Sequence, residues 1–233
     1  MFRMRCDVPQ SISPTERTRV IRESHRGAYD RETIDKILDE GYVCHVGFAV
    51  DGQPYVIPTL HVRIADRLYV HGSAASRMLG AAAEGTPIAV TITHIDGLVL
   101  ARSAFHHSVN YRSAVILGTA TLVTDPIEKF AVMKALIDHV APGRWDHIRH
   151  PNEKELAATS VLSIPINEAS AKLRSGDPLD DEDDYAMPIW AGQIPFAAST
   201  LAPVADARLD LSIPIPAHVA NYQLPQNRGA RVT

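Results

Sequence analysis

Residues 42–72 read YVCHVGFAVDGQPYVIPTLHVRIADRLYVHG, and the parsing of that stretch decides the fold. Segments 42–50 and 54–63 are rich in β-branched and aromatic residues, as strands are. Between them stands Asp51-Gly52, a dipeptide that favours a two-residue hairpin. A second short turn, Ala65-Asp66-Arg67, leads into a third strand at 68–72. Strands joined by turns this tight make an antiparallel sheet, and the rest of the chain is read outward from it.

On the N-terminal side, Asp30 is placed to cap a short helix, RETIDKILDEG. Its Ile34, Ile37 and Leu38 fall at i, i+3, i+4, and Gly41 occupies the C-terminal cap position. Residues 1–29 are polar and read as an arm. On the C-terminal side, 75–84 favours a helix closed by Gly85, and strands are expected at 87–95, 97–104 and 112–124. A longer helix is expected from Pro126 to His139, with Asp125 as cap, Pro126 at its first position, and Glu128 three residues after the cap. Phe130, Met133, Ile137 and Val140 mark its expected buried stripe. A last long strand covers 159–175. Hairpins with a few inserted helices, rather than βαβ units, predict an α+β protein whose antiparallel sheet closes into a barrel. The barrel domain is expected at 30–175.

After Gly176 the composition changes. The segment DPLDDEDDYA carries six carboxylates and reads as a solvated loop, and the remainder to 233 has little periodicity and several prolines. Such a tail buries few of its own apolar residues, so it is expected to pack on the barrel or on a second subunit.

Composition bounds the function. The chain has 233 residues, 45% hydrophobic and 21% charged, which is ordinary for a globular protein. Lys+Arg total 23 against Asp+Glu 27, a net charge of −4, so no basic field favours nucleic acid or an anionic membrane. Cys6 and Cys44 are too few for a disulfide framework or a four-thiolate zinc site. No stretch approaches the ~20 apolar residues of a membrane span. The N-terminus lacks the apolar core of a secretory signal, which points to the cytoplasm.

Eleven histidines invite a metal hypothesis. They are scattered, however. His106 and His107 would point to opposite faces of a strand, and His147 and His150 lack an HExxH context. No metal site is expected. GxSxG, P-loop and GxGxxG patterns are absent, and Cys44 reads as a small buried strand residue. Two segments hold more chemistry. In VHGSAASRMLG (70–80) a strand ends at His71-Gly72 and a helix begins near Ser76-Arg77. Free amides, a hydroxyl and a guanidinium there suit a phosphate; the plain alternative is that Ser76 caps the helix and Arg77 is solvated. In SVNYRSA (108–114), Asn110, Tyr111, Arg112 and Ser113 offer donors, a ring and a charge, or simply form a polar strand entry. Trp190, in PIWAGQIP, is a large aromatic that needs something to cover it.

Taken in order, the stretches DGQPYVIPTLHVRIADRLYVHGSAASRMLG, PIAVTIT, HSVNYRSAVILGTATLV and PIWAGQIP resemble the pyridoxamine 5′-phosphate oxidase-like, FMN-binding split-barrel superfamily. The flavin-nucleotide-binding branch that includes nitroimidazole-resistance reductases is the nearest in pattern. The resemblance implies an FMN cofactor, with Ile57, Pro58, Thr59 and Leu60 laying their backbone against the isoalloxazine. It places the phosphate at His71, Gly72, Ser76 and Arg77, and has Asn110, Tyr111, Arg112, Ser113 and the C-terminal Trp190 reach the flavin, in part across a homodimer. The superfamily's oxidase carries a basic residue where Val62 stands here. The Arg-His pair of its C-terminus has no counterpart in IPIPAHVANYQ, so pyridoxamine phosphate oxidation itself is not implied. The reading is an FMN-dependent oxidoreductase acting on a small molecule, with His71 as the acid–base candidate. A non-catalytic flavin or haem binder and a deazaflavin (F420) reductase are the alternatives.

Overall fold

A computed structural model describes residues 10–228 apart from Ala74 and Leu211, and apart from the side chains of Arg77 and Ala83. Cys6 lies outside the described residues. Among the described residues, ten strands form one antiparallel sheet: β1 (Gly27–Ala28), β2 (Val43–Val50), β3 (Gln53–Ile64), β4 (Arg67–Ser73), β5 (Pro87–Leu100), β6 (Ser108–Thr119), β7 (Thr121–Leu122), β8 (Thr159–Pro165), β9 (Ala169–Arg174) and β10 (Gly192–Pro195). Their order is β1-β9-β6-β5-β2-β3-β4-β8-β7, with β10 paired to β5. Around them stand helices α1 (Arg31–Glu40), α2 (Arg77–Ala83), α3 (Pro126–Val140), α4 (Glu153–Ala158) and α5 (Ala217–Ala220). This is an α+β fold in which an antiparallel sheet curls into an open, split barrel.

The first hairpin turns as its sequence demands, with positive φ at both Asp51 and Gly52. Asp30 caps α1 by accepting from the Thr33 N–H at 2.8 Å, and Ile34, Ile37 and Leu38 are buried in the main core. Gly41 differs from expectation. Its φ of −94° is extended rather than left-handed, and the glycine is required by space: a Cβ there would meet Ile92 Cγ2 at 2.9 Å.

Three strand boundaries also differ. The strands expected at 87–95 and 97–104 are one strand, β5, with an irregularity between Ile95 and Gly97. Gly97 looks like a turn residue but serves a close approach, since a Cβ would lie 2.7 Å from the Ile194 carbonyl of β10. The strand expected at 112–124 starts earlier and divides into β6 and β7. The long strand 159–175 is two strands, β8 and β9, which pair with different neighbours, β4 and β6. In α3, Asp125 caps by accepting from Ile127 N–H at 2.9 Å, while Glu128 instead accepts from the Tyr69 hydroxyl at 3.1 Å. The residues α3 buries are Val132 and Leu136, against Val62, Tyr69 and Val161, rather than the four expected; those are only half-buried.

Residues 10–29 lie on the barrel: Ile12 joins the main core, and β1 pairs with β9. The acidic segment is partly structured, because the buried Asp180 carboxylate accepts from the Arg102 N–H and pairs with the Arg102 guanidinium at 3.0 Å. Farther on, the tail returns to the barrel. The Tyr222 hydroxyl donates to the Val140 carbonyl at 2.7 Å, and Arg228 donates to the His139 carbonyl at 2.9 Å, both at the C-terminal end of α3. Among the described residues no helix is long and apolar enough to cross a membrane.

Candidate functional site

Strand β3 changes partners in mid-course. Residues 53–60 pair with β2, whereas 61–64 pair with β4, the last pair being His61 with Val70. Continued by one residue, the register would set Leu60 against His71, but the β3–β4 pairing stops at His61–Val70, while β4 stays paired with β8 on its other edge from Arg67 to Ser73. The barrel is split at that point. Ile57, Pro58, Thr59 and Leu60 line one lip and His71 and Gly72 the other. Along 53–60 the second edge of β3 has no strand partner among the described residues. Its backbone groups are open to a ligand, except at Pro54 and Pro58, which have no N–H. Val56 is 64% exposed, and Ile57 and Leu60 are also exposed, an apolar surface around that edge.

At the opposite lip, burial lowers the His71 pKa, and its buried Nδ1 has no partner among the described residues. The imidazole is therefore neutral near pH 7. Gly72 lies close under α2, where a Cβ would meet Leu79 Cδ1 at 3.1 Å. Ser76 stands at the N-cap position of α2, yet its side chain makes no capping bond. The plain reading of Ser76 as a cap thus does not describe it. Arg77 opens α2, and its side chain lies outside the described residues.

The other expected residues sit elsewhere. Strands β5 and β2 stand between β6 and β3 in the sheet, so Asn110–Ser113 belong to a second cluster. Asn110 is buried. Its Nδ2 donates to Gln193 Oε1 at 2.6 Å and to the Gly176 carbonyl at 3.3 Å, while its Oδ1 accepts from Arg174 Nη1. Tyr111 lies opposite Ile95 and Arg174 in the sheet. Arg112 grips Asp96 with two bonds, of 2.9 and 2.8 Å, and pairs with Glu40, which together raise its pKa. Ser113 Oγ donates to the Lys172 carbonyl at 3.2 Å. Trp190 precedes β10 and is 68% exposed, its ring lying against Gly192. One chain therefore sets 57–60 and 71–72 on the neighbouring strands β3 and β4, just past the end of their pairing, and bonds Asn110 to Gln193, but does not join the two groups.

Sequence reasoning missed the residues that complete the second cluster, namely Glu40, Asp96, Arg174 and Gln193. It also missed a group of histidines under the split. His61 Nε2, His94 Nε2 and His139 Nε2 bond the carbonyls of Ile37, Leu38 and Gly41 at the end of α1: His94 to Ile37 at 2.9 Å, His61 to Leu38 at 2.9 Å, and His139 to Gly41 at 2.6 Å. These carbonyls lie in the last turn of α1 or just past it, where intrahelical donors run out; that of Leu38 also accepts the Gly41 N–H at 3.3 Å. Burial pushes the fully enclosed His61 down to about 4. Cys44 is buried and its thiol is pushed up to about 12, which makes it inert.

Comparison with known proteins bears on these groups. The sequence model of the family described as pyridoxamine 5′-phosphate oxidase matches residues 30–173. The structure of the flavocytochrome Anf3 from Azotobacter vinelandii is 41% identical, covers 93% of this chain and 100% of its own, and superposes with a TM-score of 0.86. The FAD and haem binding protein from Mycobacterium smegmatis is 37% identical over 83% of this chain and 95% of its own, with a TM-score of 0.80. A 5-nitroimidazole antibiotic resistance protein from Bacteroides thetaiotaomicron, described as putative, shares the fold at 21% identity and a TM-score of 0.52, over 63% of this chain and 85% of its own. No curated protein sequence matches the chain.

Proposed function

Since this chain belongs to the pyridoxamine 5′-phosphate oxidase family, we propose that it binds a flavin nucleotide at the split of its barrel and acts as a flavin-dependent oxidoreductase. The observation that carries the reading is the backbone edge of β3 along 53–60 that no strand covers among the described residues, beside the end of β4 where the β3–β4 pairing stops. A bound flavin supplies reversible one- and two-electron chemistry. Backbone groups of 57–60 hold the ring edge. Gly72 and the free Ser76 hydroxyl meet the phosphate, and Arg77 is the cation for it. His71, neutral and with one ring nitrogen unpartnered, holds or accepts a proton beside the cofactor.

The two residue groups meet only if a second copy contributes. We therefore assign a homodimer in which Asn110–Ser113 and Trp190 of one subunit face the split of the other. The exposed Val56, Ile57 and Leu60 supply apolar surface for such a contact. The flavin is assigned as FMN. Chromatography of the cofactor released from purified protein tests this: FMN supports it, and FAD, which the Mycobacterium smegmatis neighbour is described as binding, overturns that part. Protein with no flavin absorption near 370 and 450 nm would sink the reading as a whole. Sedimentation equilibrium at micromolar concentration giving only monomer would remove the dimer.

A haem is a second component of the reading, favoured by a cavity in the extension. Leu209, Ile213, Ile215 and Val219 line a space of ≈ 620 Å³, with His147 and Arg144 on its wall. His147 stacks on His218 at 4.6 Å, and both ring nitrogens of His218 are buried without partners. An imidazole, an apolar wall and a guanidinium for propionates are the donor set a haem requires. His147→Ala is expected to abolish a Soret band while leaving flavin absorption intact. A Soret band of wild-type intensity in that variant rules this cavity out.

A further inference from the structure

At the end of β9 lies a cation without an anion. Arg174 is only 8% exposed, and it takes part in no ion pair among the described residues. Its guanidinium is held by neutral oxygens: Asn110 Oδ1, the Gly176 carbonyl at 3.1 Å and the Asp177 carbonyl at 3.1 Å. Two N–H bonds go out from Nη1 and one from Nη2, which leaves Nε–H and one Nη2–H unused among five donors. Burial and the nearby charge of Arg26 both lower the Arg174 pKa. Buried arginines without a counter-charge are expensive to a fold and are ordinarily paired.

The same side chain opens onto a cavity of ≈ 410 Å³ between β1, β9 and the loop that follows. Arg26 and His25 stand on its wall with Arg174, and Ala28, Leu173 and Leu179 make the apolar part. Asp177 is the one acid in the lining, and its Oδ1 already accepts from Gln193 Nε2 at 2.8 Å. Glu23, which pairs with Arg26 at 3.2 Å, is outside the lining.

We propose that this cavity binds a small organic monocarboxylate, its oxygens on the unused donors of Arg174 and on Arg26, and its apolar body against Leu173 and Leu179. A planar carboxylate matches a guanidinium edge with two parallel bonds, and the acid of Asp177 on the wall disfavours a dianion. The site is separate from the split of the barrel and does not depend on the flavin reading. It touches that site indirectly, because Arg174 also holds Asn110.

Benzoate is the probe. Titration calorimetry on the full chain at constant ionic strength is expected to show saturable binding of benzoate, with inorganic phosphate binding at least tenfold more weakly. Arg26→Ala should weaken benzoate by about tenfold, as removal of one charged hydrogen bond does. Leu179→Asp should abolish binding by placing a negative charge at the mouth. Leu179 is exposed and Arg26 half-buried in a pair with Glu23, so an unchanged urea midpoint is the check on folding of each variant. Arg174→Lys, which keeps the charge but loses the fork, should also weaken benzoate. Benzoate binding that is absent in wild type, or equally tight in Arg26→Ala and Leu179→Asp, overturns the proposal. Phosphate binding as tightly as benzoate overturns the assignment to a monocarboxylate.

Discussion

The two groups of residues that the flavin reading joins are physically unlike. The lips of the split, 57–60 and 71–77, leave polar and apolar groups unused: an unpaired strand edge, an uncapping Ser76, an unpartnered His71 Nδ1. The 110–113 cluster leaves almost none. Arg112 is neutralised by Asp96 and Glu40, and every polar atom of the Asn110 side chain is bonded. A site awaiting a ligand keeps its donors free, whereas a scaffold spends them internally. The contrast predicts that substitutions in the first group alter affinity and those in the second alter stability.

The largest expected effect tests the scaffold side. Asn110→Ala strips a buried acceptor from Arg174 and a donor from Gln193, and should lower unfolding stability by about 3 kcal/mol in urea titrations. Because Asn110 faces the partner's split in the assigned dimer, flavin affinity of the folded fraction should also fall, but by less than about tenfold. A variant of unchanged stability that loses flavin would show that Asn110 serves the ligand and not the scaffold.

Next comes the ligand side. Arg77→Ala should cost FMN about ten- to a hundred-fold in affinity, equivalent to about 1.5–3 kcal/mol, with the urea midpoint unchanged. Riboflavin, which lacks the phosphate, should be indifferent. Equal losses for both ligands would place the phosphate elsewhere.

A smaller effect concerns His61, where β3 leaves β2 for β4. Its folded pKa of about 4 lies below the ~6.5 of an unfolded chain, so the unfolded state binds the proton first. Stability from this group is present above pH ~6.5 and is lost as pH falls toward 4. Between pH 7 and 5 the loss should be roughly 1.5–2 kcal/mol. His61→Gln should flatten that slope; an identical slope in the variant would assign it to other groups. The smallest change is expected at Val56. Because the residue is exposed in the single chain, Val56→Thr should move the stability of the dissociated monomer by less than about 0.5 kcal/mol. At concentrations where the protein is dimeric a larger loss is expected, and an equally small one there would take this edge out of the interface.

Local signals were legible in the sequence. Asp51-Gly52, the Asp30 cap and the Ile34, Ile37, Leu38 stripe act within a few residues and read correctly. The break expected between 95 and 97 misled because an irregularity within one strand reads, in one sequence, like a turn between two. The 159–175 stretch misled because the bend at 166–168 between its two strands carries neither glycine nor proline, and their different partners lie far off in sequence. The lips of the split were reached through a family resemblance carried by local segments. Arg112 was found but its neutralisation was not, since Asp96 lies 16 residues away and Glu40 72. The Asn110–Arg174 bond spans 64 residues, and no periodicity announces a contact of that range.

The unpaired length of β3 has a consequence for solubility. An open strand edge beside exposed Val56 and Ile57 is a template on which another chain could add a strand and start a fibril. Here Pro54 and Pro58 bracket those two residues, and neither has an N–H to give to a growing ladder. The prolines thin the set of donors left for a ligand, and by the same subtraction keep the edge from recruiting its own kind.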